Sequence, residues 1–408
     1  MLRVFSVLLV LALALLPVLA AAEDDMLSGL SNDDYEPLWP AAEPYGFRLG
    51  GCFGVWDMGN APYMQFVGKH FNSITCTNET KAYSLLDKNA TRKSADGMPV
   101  LNFTNADKMV AWAQKNGIAV RGHVLVWDAV MQYPWFFHED YDESKPFASK
   151  EVCRARLASY IDKVITHFEE KFPGVIYCWD VVNEAIGDNP SDWDPADPRH
   201  IRVVRDGGPN MFREYVGDDY VEFSFLCARN TVERLGADIR LFYNDYNMFM
   251  KEKRTAAVAL VESIRSYDPD GRPLIDGIGM QGYLGGYGTQ DGCLEDHLLT
   301  DMKESIDLYG SLGLEVQVTE MAVRNFDRSK AADHAVFYGR LFSEVFMQAN
   351  TSESHPLTAV CIWGLVDANP SDKSSYTYKM NSPYGCFLSG DYRIKTCFDT
   401  VYHTLRND

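Results

Sequence analysis

The sequence contains few basic residues for its length. Of its 408 residues, 38 are Lys or Arg and 57 are Asp or Glu, so the formal net charge is −19. A protein that holds nucleic acid needs a basic surface to neutralise the phosphates. The composition therefore argues against nucleic acid as a partner and favours an uncharged or weakly charged substrate.

Signatures of metal and nucleotide binding are also missing. No two of the nine cysteines combine CxxC spacing with nearby histidines, which argues against a zinc site. The segment GGCFGVWDMG, which begins at Gly50, does not match the glycine fingerprint of a phosphate-binding turn. We therefore expect neither a metal ion nor a cofactor.

The odd number of cysteines means that at least one cannot pair within the chain. Cys386 and Cys397 lie close together near the end and are the first candidates for a disulfide. Cys178 and Cys361 lie in apolar, strand-like runs. We expect these two to be buried free thiols.

One long apolar run stands at the start of the chain. Residues 1–22 place Arg3 before this run, which ends in small residues, as in a cleavable signal peptide. A membrane anchor is the alternative, but Pro17 and the alanine-rich end favour cleavage. We therefore expect a secreted, extracellular protein without membrane contact after cleavage. In a eukaryotic secretory pathway it would carry N-glycosylation acceptors at Asn78, Asn89, Asn102 and Asn350.

The remaining chain is organised as one repeating pattern. Residues 23–45 are acidic and lack a sustained period, which indicates a leader or linker, and residues 46–408 continue without a low-complexity break. Helical stretches alternate with eight apolar runs. These runs are GFRLGGCFGV, FNSITC, IAVRGHVLVW, VIYCWDVVNE, DIRLFYNDYN, DGIGMQGYL, LEVQVTEMAV and TAVCIWGLVD. The pattern predicts an α/β fold, a single-domain (β/α)8 TIM barrel, with a doubly wound open sheet as the alternative.

Polar and aromatic residues follow these runs at the ends where a barrel opens on its active-site face. The most informative are Glu184 after the fourth run and Glu320 on the seventh. Two such carboxyl groups can cleave a glycosidic bond, one as an acid and one as a nucleophile, and a separation of about 5 Å would retain configuration. We expect burial and mutual repulsion to raise the pKa of the acid. Either glutamate alone could equally form a structural ion pair.

Five motifs in this order and spacing resemble the glycoside hydrolase family 10 endo-β-1,4-xylanases: GHVLVW, WDVVNEAI, LFYNDYN, IDGIGMQ and VTEMAV. The resemblance covers roughly residues 46–405. It implies a retaining barrel enzyme in which Glu184 is the acid/base and Glu320 the nucleophile. Asn183 would bind the sugar 2-hydroxyl, and further sugar contacts would come from Asn78, Lys81, His123, Trp127, Asn244, Gln281 and Trp363.

Several of these residues also have structural interpretations. Trp127 and Trp363 could be core aromatics, although a barrel mouth suits stacking on a pyranose. His123 could be a satisfied buried imidazole, and Lys81 a solvated charge. Asp245 is interpreted as an orienting residue rather than a third catalytic acid.

The chain departs from the family pattern at the ends of several strands. The family usually has a glutamate before the position of Asn78, where this chain has Thr77. It usually has a tryptophan after the position of Lys81, where this chain has Ala82. After Trp127, histidine and glutamine positions hold Asp128 and Val130. We expect altered sugar subsites on the non-reducing side. A second tryptophan expected after Trp363 is also missing; Tyr376, Tyr378 and Tyr384 are possible replacements.

A linked departure lies beside the nucleophile. The family has a histidine and an aspartate that hydrogen-bond each other, and here Tyr283 and Ala322 occupy these positions. We predict that the Tyr283 hydroxyl hydrogen-bonds Glu320. Alternatively, Tyr283 only fills the space beside Ala322.

The sequence thus predicts a monomeric, secreted retaining endo-glycosidase that cleaves internal β-1,4-xylosidic bonds of xylan-type polysaccharide. The same chemistry on another β-linked glycan or glycoside is one alternative. A barrel that binds glycans without hydrolysis is another, but binding alone would not need both glutamates.

Overall fold

The computed structural model describes residues 30–129, 133–205, 207–286, 288–289 and 294–408. Within these ranges all eight predicted runs form strands, and the strands pair in parallel. The strands are β1 Arg48–Phe53, β2 Ser73–Cys76, β3 Ala119–Gly122, β4 Ile176–Asn183, β5 Arg240–Tyr246, β6 Gly277–Gln281, β7 Glu315–Val323 and β8 Leu357–Ile362. β1 pairs with both β2 and β8, with Leu49 opposite Val360, so the sheet closes. The predicted TIM barrel is confirmed.

Eight helices follow the strands in alternation, as the helical stretches predict. They are α1 Ala61–His70, α2 Thr104–Lys115, α3 Lys150–Lys171, α4 Tyr220–Leu235, α5 Lys251–Tyr267, α6 Asp296–Ser311, α7 Ala331–Arg340 and α8 Thr396–Arg406. Gly117 and Gly174 follow the ends of α2 and α3 with φ of 67° and 69°. This left-handed conformation favours glycine and ends the helices.

Short helices and strands lie between the main elements of the barrel or extend them. Helix α7 continues through the π-helix Leu341–Phe346 into Met347–Ala349. The short strands are Val126–Trp127, Val204–Arg205, Gly208–Pro209 and Tyr283–Leu284. The short α-helices are Ala82–Leu85, Lys88–Thr91, Met211–Tyr215 and Tyr376–Asn381. The 3-10 helices are Asn32–Asp34, Trp39–Ala41, Glu43–Tyr45, Asp57–Gly59, Pro134–Phe137, Glu139–Tyr141 and Arg328–Lys330.

The described part of the expected leader, residues 30–45, is not a separate linker. Leu38 and Ala42 are fully buried and belong to the hydrophobic core. The Tyr35 hydroxyl donates a hydrogen bond of 2.8 Å to Asp399 on α8. Since 3-10 turns of three residues are too short to produce a sustained period, the sequence pattern gave no sign of this packing. The predicted signal peptide, residues 1–22, lies outside the described residues.

The predicted disulfide between Cys386 and Cys397 is wrong in this structure. The two sulfur atoms are not joined in a disulfide. The Cys386 thiol donates to the backbone carbonyl of Asn381 at 3.1 Å, and the Cys397 thiol donates to that of Cys386 at 3.1 Å. Cys178 and Cys361 are buried free thiols, as predicted. None of the helices in the described ranges combines the length and apolar character needed to cross a membrane.

Candidate active site

A cavity of about 790 Å³ opens at the carboxyl ends of the strands. Nine of the predicted site residues line it: Lys81, His123, Trp127, Asn183, Glu184, Gln281, Tyr283, Glu320 and Trp363. Parallel strands that end on one face of a barrel bring these distant residues together. The sequence prediction of a shared mouth is confirmed.

Glu184 follows β4 in a left-handed conformation, with φ of 58°. Its Oε1 accepts a hydrogen bond from Gln281 Nε2 at 3.0 Å. Its Oε2 accepts from Trp127 Nε1 at 3.1 Å and from Arg205 Nη2 at 2.5 Å. Every one of these partners is an N–H donor, so the side chain is held as a carboxylate.

The predicted rise in the pKa of Glu184 is wrong: the pKa is lowered. Burial alone would raise the pKa, but the positive charge and hydrogen bond of Arg205 outweigh burial. The hydrogen bonds from Gln281 and Trp127 act in the same direction, and the pKa lies below its ordinary value. Arg205 is responsible for most of this reversal.

Glu320 faces the same cavity as Glu184, and its pKa is shifted in the opposite direction. Burial raises its pKa above the ordinary value, and the negative charge of Glu184 adds to the rise. The electrostatic interaction with His123 and the Tyr283 hydrogen bond oppose burial without reversing its effect on the Glu320 pKa. A proton is therefore held more readily on Glu320 than on Glu184.

The predicted contact between Tyr283 and Glu320 is confirmed. The Tyr283 hydroxyl donates to Glu320 Oε2 at 2.5 Å. Tyr283 lies in register with Ala322 on the neighbouring strand, and the Arg324 guanidinium lies 4.7 Å from the centre of its ring. The linked departure from the family pattern thus produces a satisfied hydrogen bond to Glu320.

A chain of amide side chains joins the two glutamates. Asn183 Oδ1 accepts from Gln281 Nε2 at 3.2 Å and from Asn244 Nδ2 at 2.9 Å. Gln281 also donates to Glu184, and Asn244 also donates to Glu320 Oε1 at 3.2 Å. Asn244 is held in turn by the Thr319 hydroxyl at 2.6 Å. The network fixes both carboxyl groups relative to each other.

Asp180, inside β4, supports a different wall of the cavity. It contacts the buried Arg121 guanidinium through both carboxylate oxygens and accepts from His123 Nδ1 at 2.8 Å. Burial alone would raise the pKa of Asp180, but the charge of Arg121 and the hydrogen bonds lower it. Asp180 therefore stays ionised in the core and orients His123 toward the cavity.

Two predicted sugar contacts lie elsewhere. Asn244 is completely buried behind Glu320, so it positions the glutamate and does not line the cavity. Asn78 lines a neighbouring cavity of about 420 Å³ together with Trp56, whose exposed fraction is 90%. Asn78 remains connected to the main cavity because Lys81 Nζ donates to its Oδ1 at 3.2 Å.

The structure also shows where Asp245 and the candidate replacement tyrosines lie. Asp245 does not touch either glutamate; it pairs with Lys253 at 2.9 Å and accepts from the backbone N–H of Ile186 at 3.3 Å. It therefore orients the segment after Glu184. Among the candidate replacement tyrosines, Tyr376 lines the cavity and Tyr378 is buried against Phe326.

Several residues that line the cavity were not predicted from the sequence, among them Arg205, Tyr246, Met250 and Arg324. Arg205 lies on a hairpin formed by Val204–Arg205 and Gly208–Pro209. The Asp-Gly sequence after Arg205 is a hairpin signal that could have located this loop. Among the described residues, no group of three or more His, Cys, Asp or Glu side chains is arranged to hold a metal ion.

Comparisons with known proteins agree with this geometry. The family model of Glycosyl hydrolase family 10 matches residues 38–404. Endo-1,4-beta-xylanase B of Butyrivibrio fibrisolvens is 33% identical over 338 residues, which are 81% of this chain and 47% of the relative. The chain thus spans about half the length of that relative. A relative from Caldicellulosiruptor saccharolyticus is 34% identical over 322 residues, 76% of this chain and 95% of its own length.

A solved structure shows the same architecture. The intracellular xylanase of Thermoanaerobacterium saccharolyticum superposes with a TM-score of 0.70 and 27% identity. The match covers 91% of this chain and 100% of that one.

Proposed function

The chain belongs to glycosyl hydrolase family 10, and from this premise we propose that it is a secreted retaining endo-glycosidase that cleaves internal β-1,4-xylosidic bonds of xylan-type polysaccharide. One observation carries the proposal. The partly buried Glu184 and the buried Glu320, at the ends of β4 and β7, face one cavity and are joined by one amide network. The relatives indicate the substrate class, since the Butyrivibrio relative is an endo-1,4-beta-xylanase.

In the first half of the proposed reaction, Glu320 attacks the anomeric carbon as a carboxylate. Glu184 gives its proton to the glycosidic oxygen, and the leaving sugar departs as an alcohol. In the second half, the Glu184 carboxylate takes a proton from water as the water oxygen attacks the anomeric carbon. Glu320 is released, and the product keeps the configuration of the substrate.

The remaining cavity residues hold the sugar. The Asn183 carbonyl oxygen is occupied by two N–H donors, so its amide nitrogen is the atom that donates to the 2-hydroxyl. Trp127 and Trp363 present partly exposed rings on the cavity wall, which suits them to the apolar face of a pyranose. Secretion is supported by residues 1–22, whose pattern is that of a signal peptide.

The test is a panel of xylans, glucans and mannans incubated with the mature protein, followed by analysis of the released oligosaccharides. Internal cleavage of xylan gives a ladder of short xylo-oligosaccharides. Glu184→Gln and Glu320→Gln should each remove most turnover and leave the circular dichroism spectrum unchanged. Binding of xylan without any release of oligosaccharide would instead support a glycan-binding barrel, and sequencing the exported protein's N-terminus tests the signal.

A further inference from the structure

The hydrogen bonds of Glu184 conflict with its proposed role as an acid. A protonated carboxyl oxygen has to donate, but Oε2 faces two groups that can only donate, Trp127 Nε1 and Arg205 Nη2. Arg205 is the charged one, and an arginine stays protonated throughout the working range of proteins. Before Glu184 can carry a proton at Oε2, the Arg205 guanidinium has to leave it.

A second acceptor for Arg205 lies beside it. Asp128 Oδ1 is 3.7 Å from Arg205 Nη1, so a movement of about 1 Å would bring the two atoms to hydrogen-bond distance. Asp128 is buried, and its Oδ2 accepts from Asn210 Nδ2 at 3.0 Å. Its Oδ1 accepts no hydrogen bond from any described residue. A buried carboxylate oxygen without a partner is costly, so this atom favours the arrival of a donor.

The other charges around Glu184 already have close partners. On the segment before the hairpin, Arg202 pairs with Asp188 at 2.8 Å and with Asp192 at 3.2 Å. From β5 and α5, Asp245 and Lys253 pair with each other. Across the cavity stand Lys81, His123, Tyr246, Tyr283 and Glu320. Arg205 lies between the carboxyl groups of Glu184 and Asp128, and these two groups compete for it.

We propose, on the basis of the function above, that Arg205 is a mobile positioning residue that binds Glu184 when Glu184 is a carboxylate and moves to Asp128 when Glu184 is protonated. The family resemblance places a histidine at the position of Asp128, and a neutral or cationic imidazole could not receive the guanidinium as a carboxylate does. Asp128 and the Arg205 hairpin therefore act as one unit in this chain.

This movement gives Glu184 two proton affinities in one catalytic cycle. With Arg205 on Asp128, the partly buried Glu184 has no cation beside it and holds a proton for the leaving sugar. Once the proton has been transferred, Arg205 returns and stabilises the new carboxylate. Burial raises the pKa of Asp128 to about 7, while the charges of Arg205 and Arg202 oppose the rise, so arrival of the guanidinium favours the Asp128 carboxylate.

The direct test is a crystal structure of Glu184→Gln, in which a neutral side chain imitates the protonated acid. The Arg205 guanidinium is expected within about 3 Å of Asp128 Oδ1. If it remained hydrogen-bonded to the side chain at position 184, the movement would be refuted. This arm needs no turnover, so it separates failure of the inference from failure of the proposed function.

A kinetic and spectroscopic arm tests the consequence. In Arg205→Met, the pKa of the Glu184 carboxyl, followed by 13C NMR and assigned with Glu184→Gln, should rise by about 1–3 units. The alkaline limb of the kcat/KM profile on xylo-oligosaccharides should move to higher pH by a similar amount. Arg213→Met is the matched control, because Arg213 is partly exposed and pairs with Asp218 at 3.2 Å. An unchanged Glu184 pKa in Arg205→Met would overturn the proposal, as would an equal shift in the control.

Discussion

Removal of the Tyr283 hydroxyl tests whether this residue orients Glu320, the proposed nucleophile. It donates at 2.5 Å to Glu320 Oε2, while Asn244 donates to the other oxygen at 3.2 Å. Tyr283→Phe removes one of these two hydrogen bonds and keeps the ring that packs under Arg324. Since a hydrogen bond to a charged group contributes about 1.5–3 kcal/mol, and 1.36 kcal/mol is tenfold, turnover should fall by about one to two decades.

The same substitution should change the pH dependence in a defined direction. Burial raises the pKa of Glu320, and the Tyr283 hydrogen bond opposes the rise. Loss of the hydroxyl therefore raises the Glu320 pKa further. Because the proposed nucleophile Glu320 can attack only as a carboxylate, activity should be lost as pH falls through this pKa. The acid limb of kcat/KM should therefore move to higher pH.

The assay is kcat/KM on xylo-oligosaccharides between pH 4 and 9, measured for the wild type, Tyr283→Phe and Tyr45→Phe. Tyr45 precedes β1 on the side of the barrel away from the cavity, and its hydroxyl accepts from Asn407 at 2.8 Å. Its substitution should leave the profile unchanged. Unchanged turnover and an unshifted acid limb in Tyr283→Phe would show that Tyr283 only fills space beside Ala322.

Three further predictions concern the two proposed catalytic glutamates, the buried Asp180 and the exposed Trp56. Azide should accelerate Glu184→Ala on an aryl xyloside with a good leaving group and should not rescue Glu320→Ala, which cannot form the glycosyl intermediate; rescue of both would refute the roles. Asp180→Asn should lower the free energy of unfolding by about 3–5 kcal/mol, measured in urea, because the buried Arg121 loses its charge partner. Trp56→Ala should remove a stacking surface for a distal sugar, because the exposed Trp56 ring lines the neighbouring cavity and not the one that contains the glutamates. KM should therefore rise several-fold on long xylan and stay unchanged on short substrates; an equal effect on both would contradict this contact.

The barrel could be predicted because its strands are buried on both faces. Runs such as IYCWDVVN give a continuous apolar signal, and closure of the sheet fixes which strand ends meet. The placement of Glu184 and Glu320 at one mouth follows from topology alone. The contact between Tyr283 and Glu320 was predictable because two linked departures from the family pattern occur at positions that are neighbours in register.

The charge state of Glu184 could not be predicted, because its cause is not local. Arg205 reaches the carboxylate from a hairpin 21 residues along the chain, and its effect depends on a distance of 2.5 Å. The Cys386 and Cys397 prediction failed for a related reason, since proximity in sequence says nothing about the direction of the thiols. The packing of residues 30–45 depends on the barrel surface they cover, which no local pattern records.

We propose that Glu184 and Glu320 hydrolyse β-1,4-linked xylan with retention. The most direct measurement is proton NMR of the anomeric signals during early hydrolysis of a xylo-oligosaccharide by the wild-type protein. We expect the β-anomer of the new reducing end to appear first, with the α-anomer growing later through mutarotation. First appearance of the α-anomer would show an inverting reaction, and the absence of any new reducing end would show that the cavity does not hydrolyse this glycan.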